Sequence, residues 1–184
     1  MGEIKKVQSV FLIVAVFSSD ETSFDWAFEK IESQFGKIII KSEKFNFDNF
    51  TDYYSRSMGE NLYKQLWGLQ NLIDPSILSD IKLITNQLEK DFINENNSDV
   101  SRPLNLDPGY VDLGKLILAS TKDHSHRIYL SKGIFAETTL IYRQKKWQPL
   151  DWTYPDYQSE ICLNFLDQCR TFLKSTRGQF IENL

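Results

Sequence analysis

Residues 7–17, VQSVFLIVAVF, are an unbroken apolar run rich in β-branched and aromatic side chains. A strand with one wet face alternates apolar and polar residues. This run does not, so it reads as a central strand buried within its sheet. Other uses of an apolar N-terminal run fit less well. It is too short to cross a bilayer, and Glu3 together with the poor cleavage site at Phe17-Ser18-Ser19 departs from a secretory signal.

The elements that follow are read from spacing. Phe24, Ala27, Phe28, Ile31 and Phe35 recur at helical intervals after several capping candidates in 18–23, and Gly36 supplies a stop. Residues 37–47 read as a second strand with Ile38 and Ile40 on one face, 48–60 as a loop, and 62–72 as a strand in preference to a short helix. Asp74-Pro75 is a helix start, a capping residue followed by proline at the first helical position, with Ile77, Ile81, Ile84, Leu88 and Phe92 as the expected buried stripe. Residues 102–106 read as a short strand ending in a turn at Asp107, Pro108 and Gly109. Asp112 is placed to cap a short helix running to Thr121, and alternation fits that stretch nearly as well. A β-hairpin follows, 126–130 and 134–142 around Ser131, Lys132 and Gly133. A further turn at 144–146 leads to Trp147, and 157–174 reads as a last helix on Ile161, Phe165, Cys169 and Phe172.

This order predicts one α+β domain, 1–184, with a mostly antiparallel sheet and about three helices. Its first six elements match the ferredoxin-like split β-α-β order, and a C-terminal β-hairpin and helix are added to them. A chain of 184 residues buries a core without staples. Twenty-one basic against twenty-five acidic residues give a net charge of −4, which supplies no electrostatic footprint for nucleic acid. Neither nucleic acid nor membrane is an expected partner, and the oligomeric state is left open. Cys162 and Cys169, about two helical turns apart, are too far for an unstrained disulfide. They read as buried thiols of a reducing compartment, the cytoplasm.

Polar residues concentrate between 101 and 157, where Asn105, Asp107, Lys122, His126, Arg127, Glu137 and Asp156 stand among strand-forming neighbours. If the hairpin turns on Lys132-Gly133, Ile128 faces Glu137 and His126 is a diagonal neighbour of that carboxylate, about 7–8 Å away by Cα. A carboxylate beside an imidazole orients it for general acid/base work, with His126 and Glu137 as the pair. The bland reading is a polar pair on the wet face of a hairpin, and it carries equal weight. Lys122, Arg127 and Arg102 fit a phosphate or carboxylate, or salt bridges to the nearby acids. In WTYPDY (152–157), Trp152 and Tyr154 offer a stacking surface and Asp156 an acceptor, or else they pin the entry to the last helix. Asp52, Tyr53, Tyr54 and Arg56 share that ambiguity. His124-x-His126 lacks an obvious third and fourth ligand, so no metal is expected. No cofactor is indicated, and the phosphate-loop, GxGxxG, GxSxG, HExxH and EF-hand patterns are all missing.

In combination, FTDYY-x₃-MG (50–59), IKLITNQLE (81–89), NLDPGY (105–110), ASTKDHSHRIYL (119–130), IFAETTLIY (134–142) and WTYPDY (152–157) resemble a bacterial family catalogued as domain of unknown function 4416. The resemblance spans nearly the whole chain. It implies a single-domain bacterial protein of unestablished function, some of whose relatives are labelled GTP-binding proteins. This sequence has neither a phosphate loop nor an NKxD motif, so the label cannot mean an ordinary GTPase. The family pattern matches Asp52, Lys82, Asn86, Glu89, Asn105, Asp107, Lys122, His126, Arg127, Glu137 and Asp156, and it does not demand His at 124.

Two readings follow. In the first, Lys122, Arg127, Asn105, Asp107, Asp156, Tyr154 and Asp52 bind a phosphorylated or nucleotide-like small molecule, with His126 and Glu137 beside it. In the second, the chain is a non-catalytic interaction or regulatory domain whose polar motifs are internal networks. The first expects the side chains to converge in one concavity. The second expects satisfied buried polar groups and an exposed apolar patch or sheet edge.

Overall fold

The computed structural model describes residues 2–51, 55–96, 98 and 100–182, with the side chains of 55, 56 and 178–182 left aside. In chain order the elements are β1 (Val10–Ser18), α1 (Glu21–Phe35), β2 (Ile38–Lys41), β3 (Phe45–Asn46), α2 (Ser55–Met58), β4 (Tyr63–Ile73), α3 (Leu78–Glu95), β5 (Asn105–Asp112), β6 (Lys115–Ser120), β7 (Ile128–Ser131), β8 (Ile134–Arg143), β9 (Lys146–Pro149) and α4 (Glu160–Glu182). Among the described residues the strands form one nine-stranded sheet in the order β2-β4-β1-β5-β6-β8-β7, with β3 also on β4 and β9 also on β8. Every pairing is antiparallel. The sub-order β2-β4-β1-β5 with α1 and α3 is the split β-α-β arrangement read from the sequence. No helix of the described residues is long and apolar enough to cross a membrane.

β1 is buried along all nine residues, and its two faces feed two cores. Leu12, Val14 and Val16 pack with Phe24, Ala27 and Ile31 of α1 and Ile81, Leu88 and Phe92 of α3. Phe11, Ile13, Ala15 and Phe17 pack with Phe165, Leu166, Cys169 and Leu173 of α4. The sheet is therefore sandwiched, α1 and α3 on one side and α4 on the other. Full burial of each such side chain stabilises by roughly 1.5–3 kcal/mol, and β1 contributes on both faces. Asp20 caps α1 by accepting from the Thr22 amide, and Gly36 ends it with φ of 94°, where a side chain would strain. Asp74 caps the 3₁₀ turn Pro75–Ile77 that leads into α3.

β5 is where the ladder opens. It pairs with β1 from Asn105 to Val111 but with β6 only from Gly109 to Asp112. Pro108 marks the parting, because it has no N–H with which to continue the rungs toward β6. Gly109 is the point of closest approach, where a Cβ would stand 2.3 Å from the Ile117 carbonyl oxygen. The expected turn at Asp107, Pro108 and Gly109 is thus the middle of a strand. Proline tolerates extended backbone and here ends pairing on one edge only.

Other expectations change too. The stretch from Asp112 is a tight turn and β6, not a helix. The 37–47 strand is broken into β2 and β3, both on β4. The 48–60 loop contains α2, while Asp52, Tyr53 and Tyr54 lie outside the described residues. Ile77, in the turn before α3, and Ile84 on it are exposed, and the buried column of α3 is Leu78, Ile81, Lys82, Thr85, Leu88 and Phe92. The 126–142 hairpin exists, but a bulge at Leu130 slips its register, so Ile128 faces Ala136 instead of Glu137.

Gly109→Ala should drive its new methyl into the Ile117 carbonyl. We expect a loss of about 2 kcal/mol or more, read as a lowered urea midpoint, because backbone on both sides cannot yield as a side chain would. Unchanged stability would mean that the two strands do not approach so closely.

Candidate functional site

Residues opposite each other in an antiparallel ladder point to the same face. Phe17 lies between Lys64 of β4 and Asn105 of β5, and Leu118 of β6 lies opposite Glu137 of β8. Together with Asp107 and Ser120, two positions along from Asn105 and Leu118, these residues form a row across the α4-facing side of the sheet. α4 does not begin until Glu160, so this end of the face is roofed by other segments. Phe47, Phe50 and Thr51 come from one side, and Tyr154 to Tyr157 from the other. Between floor and roof is a cavity of about 650 Å³, which reaches the parting of β5 and β6 and meets Lys82 and Asn86 of α3 there.

The parted edge of β5 is closed by α3. Leu106 donates its amide to Glu89 Oε1 at 2.8 Å, and its carbonyl accepts from Lys82 Nζ at 2.9 Å. Lys82 also donates to Asp107 Oδ1 at 2.8 Å, Asn105 Nδ2 donates to Asp107 Oδ2 at 2.8 Å, and Arg102 joins Glu89 to Asn105. Burial would raise the Asp107 carboxyl, but Lys82 and the hydrogen bonds from Lys82 and Asn105 outweigh it and hold it at about 2. Glu89 shifts the other way. Its burial raises the carboxyl despite the pull of Lys82 and Arg102.

A second network sits under the roof. Lys64 is almost fully buried and donates to Asp156, itself buried. The Lys64 ammonium stands over the Tyr157 ring at 3.7 Å and the Phe17 ring at 4.6 Å, a geometry in which ring quadrupoles offset part of the desolvation. Burial lifts the Tyr157 phenol far above its ordinary range.

The third network holds the β6–β7 connection. Arg127 donates through Nε to Glu137 Oε2 at 2.6 Å and through its terminal nitrogen to Ser120 Oγ at 2.7 Å and the Lys122 carbonyl at 3.0 Å. The slip at Leu130 explains this, since it carries Arg127 to the position opposite Glu137. His126 Nε2 is 3.2 Å from the same Glu137 oxygen. Its ring is stacked between Trp152, 4.9 Å away and 11° from parallel, and His124, 5.8 Å away. Trp152 is fixed by its own bond to the Thr138 carbonyl.

Of the residues singled out from sequence, Asn105, Asp107, Lys122, Arg127, Glu137, Tyr154 and Asp156 all line this one cavity. His126 touches Glu137 but stands behind the wall, whereas His124 lines it. Asp52 lies outside the described residues, one position beyond the lining Thr51. Among the described residues no cluster of three or more His, Cys, Asp or Glu side chains is placed to hold a metal. Cys162 and Cys169 are free and buried, and burial raises both thiols. Lys64 escaped notice in the sequence. It falls in phase with Leu66 and Gly68 on β4, and a lysine in step with buried positions was the available signal.

The profile of the family described as Domain of unknown function (DUF4416) matches residues 8–172. The chain belongs to that family. Its matched span contains every element that builds the cavity, from β1 through the first half of α4. No curated protein and no solved structure matches the chain.

Two measurements probe the networks. The carboxyl of Asp107 is depressed from 3.8 to about 2, so its contribution is present above about pH 4 and is lost as the pH falls toward 2. With its side chain about a third exposed, we expect a contribution on the order of 1–2 kcal/mol. Wild type should therefore lose stability relative to Asp107→Asn across that window in acid-titrated urea melts. At the other network, Lys64→Met should cost about 3–5 kcal/mol by stranding Asp156, while Lys64→Met with Asp156→Leu should recover most of it. Equal losses in single and double variants would show that packing around the cage, and not the stranded charge, sets the cost.

Proposed function

We propose that the cavity binds a small anionic molecule, phosphorylated or nucleotide-like, in the cytoplasm. The observation that carries this reading is convergence. Polar side chains from β4, β5, β6, β8 and the 154–157 segment, far apart in sequence, meet in one cavity large enough for such a ligand. Among its described lining residues, Lys64, Lys82, Arg102, Lys122 and Arg127 outnumber Asp107, Glu137 and Asp156, although the chain as a whole carries −4. Cationic forks and ammonium groups recognise phosphate or carboxylate oxygens. Phe17, Phe47, Phe50, Tyr154 and Tyr157 line the same space and suit a planar group. His126 and Glu137 are the pair we assign to any proton transfer, because Glu137 both fixes the imidazole and lines the cavity.

The alternative, a non-catalytic interaction domain, draws on a specific observation. Among the described residues every buried side-chain nitrogen and oxygen has a hydrogen-bond partner, as a purely structural network would require. A thermal-shift screen with nucleotides and sugar phosphates separates the two. A ligand at 100 times its dissociation constant should stabilise by about 2.7 kcal/mol, several degrees for a domain this size. Lys122→Ala at the rim and His126→Ala behind it should weaken the shift at least tenfold in apparent affinity. A screen without any hit would retire the binding reading, and a hit untouched by both variants would move the ligand to another surface.

A further inference from the structure

Two side chains of the cavity keep polar atoms that the protein itself does not use. Tyr157 and Asp156 are only 3% and 2% exposed, and both line the cavity. Asp156 accepts from Lys64 through Oδ2. Among the described residues, neither its Oδ1 nor the Tyr157 phenol oxygen has a hydrogen-bond partner. Every side-chain nitrogen and oxygen sealed from solvent does have one among those residues. The two oxygens therefore meet open space, and for side chains so enclosed that space is the cavity. Both residues clasp the Lys64 ammonium, Asp156 by its ion pair and Tyr157 by its ring at 3.7 Å, so they stand at one end of the floor. Phe17 and Phe47 are at the same end, with ring centroids 4.6 and 5.6 Å from that ammonium. The opposite end, across β1 and β5, is cationic. There Ser120 Oγ accepts from the Lys122 amide and from Arg127, which leaves its own hydrogen to donate.

We propose that Tyr157 and Asp156 read the edge of a nucleobase, so that the ligand is a nucleotide with its base at the Lys64 end and its phosphate at the Ser120 end, an assignment that rests on the anion site proposed above. A phenol beside a carboxylate offers one donor and one acceptor. Burial keeps the Tyr157 phenol protonated, so it donates to a ligand, whereas the ionised Asp156 only accepts. Their complement is an acceptor next to an N–H. A nucleobase presents that pattern as a lactam edge, C=O beside N–H, or as an amidine edge, ring nitrogen beside NH₂. A sugar phosphate has no such planar edge to lie against Phe17 and Phe47. A phosphate does not belong at this end, because the open oxygen of Asp156 would repel it. From β4 to β6 is three strand spacings, about 14 Å. That span suits a nucleoside monophosphate with a hydrogen bond at each end.

The test is titration calorimetry on the full chain with the 5′-monophosphates of uridine, inosine, adenosine and cytidine, and with ribose 5-phosphate. The first two nucleotides present a lactam edge and the last two an amidine edge, so the series also tells which edge fits. The preferred nucleotide should bind about tenfold or more tighter than ribose 5-phosphate. Tyr157→Phe keeps the ring over Lys64 and removes only an unspent hydroxyl, so it should melt as wild type does. It should weaken the preferred nucleotide about tenfold and leave ribose 5-phosphate unchanged. Methylating the edge N–H of that nucleotide should remove its advantage, since Asp156 then has nothing to accept. Ribose 5-phosphate binding as tightly as every nucleotide overturns the base assignment and leaves the anion site standing. So does a preferred nucleotide whose affinity is untouched by Tyr157→Phe or by methylation. A Tyr157→Phe variant that melts several degrees lower also overturns it, because the hydroxyl would then have a partner within the fold. Binding by none of the five removes the anion site itself, and the base assignment with it.

Discussion

The main-chain amide and carbonyl of Leu106 set the terms for most of this structure. A buried peptide group without a partner is too costly to leave, and Pro108 prevents β6 from supplying one. The chain answers with two side chains from a single helix, Glu89 for the amide and Lys82 for the carbonyl. Seven residues apart on α3, they lie on one side of it two turns from each other. That spacing matches helix to strand and fixes α3 against the open edge of β5. Through the opening, Lys82 and Asn86 of α3 meet the cavity on the other face of the sheet.

Buried charge recurs around the cavity. Lys82 with Asp107, Lys64 with Asp156 and Arg127 with Glu137 each take charge out of water, and buried pairs of this kind are often no more stabilising than apolar packing of the same volume. Their value is geometric. Each holds a different rim segment to the floor: α3 through Lys82, the 154–157 roof through Asp156, and the β6–β7 connection through Arg127. Each also needs its hydrogen bonds complete, because a half-satisfied network in low dielectric is worse than none. The cavity wall is therefore pre-organised, which lowers the ordering cost of any ligand that enters.

How far this was legible follows from which interactions are local. β1 could be read because burial on both faces removes alternation altogether, and α1 because spacing, cap and stop agree. Asp107, Pro108 and Gly109 misled because local turn chemistry and long-range pairing use the same residues, and only the position of β6 tells them apart. The stripe on α3 was displaced because its buried column includes Lys82 and Thr85, which an apolar count rejects in favour of Ile77 and Ile84. The hairpin is the instructive case. Its register was wrong by one residue, since no sequence rule announces the bulge at Leu130, yet His126 still reaches Glu137. Arg127, not Ile128, gained the opposed position. The candidate side chains were legible as a set, because they stood out against strand-forming neighbours. Their partners Lys64 and Lys82, supplied from distant elements, were seen less well or only through the family resemblance.

The same bulge shapes the cavity wall. With a regular hairpin, Arg127 would point away from Glu137, and the β6–β7 connection would lose the guanidinium that ties Ser120 and the Lys122 carbonyl to the floor. The one-residue slip thus completes the cavity wall. The closed polar wall at this end of the sheet is therefore the result of one local irregularity.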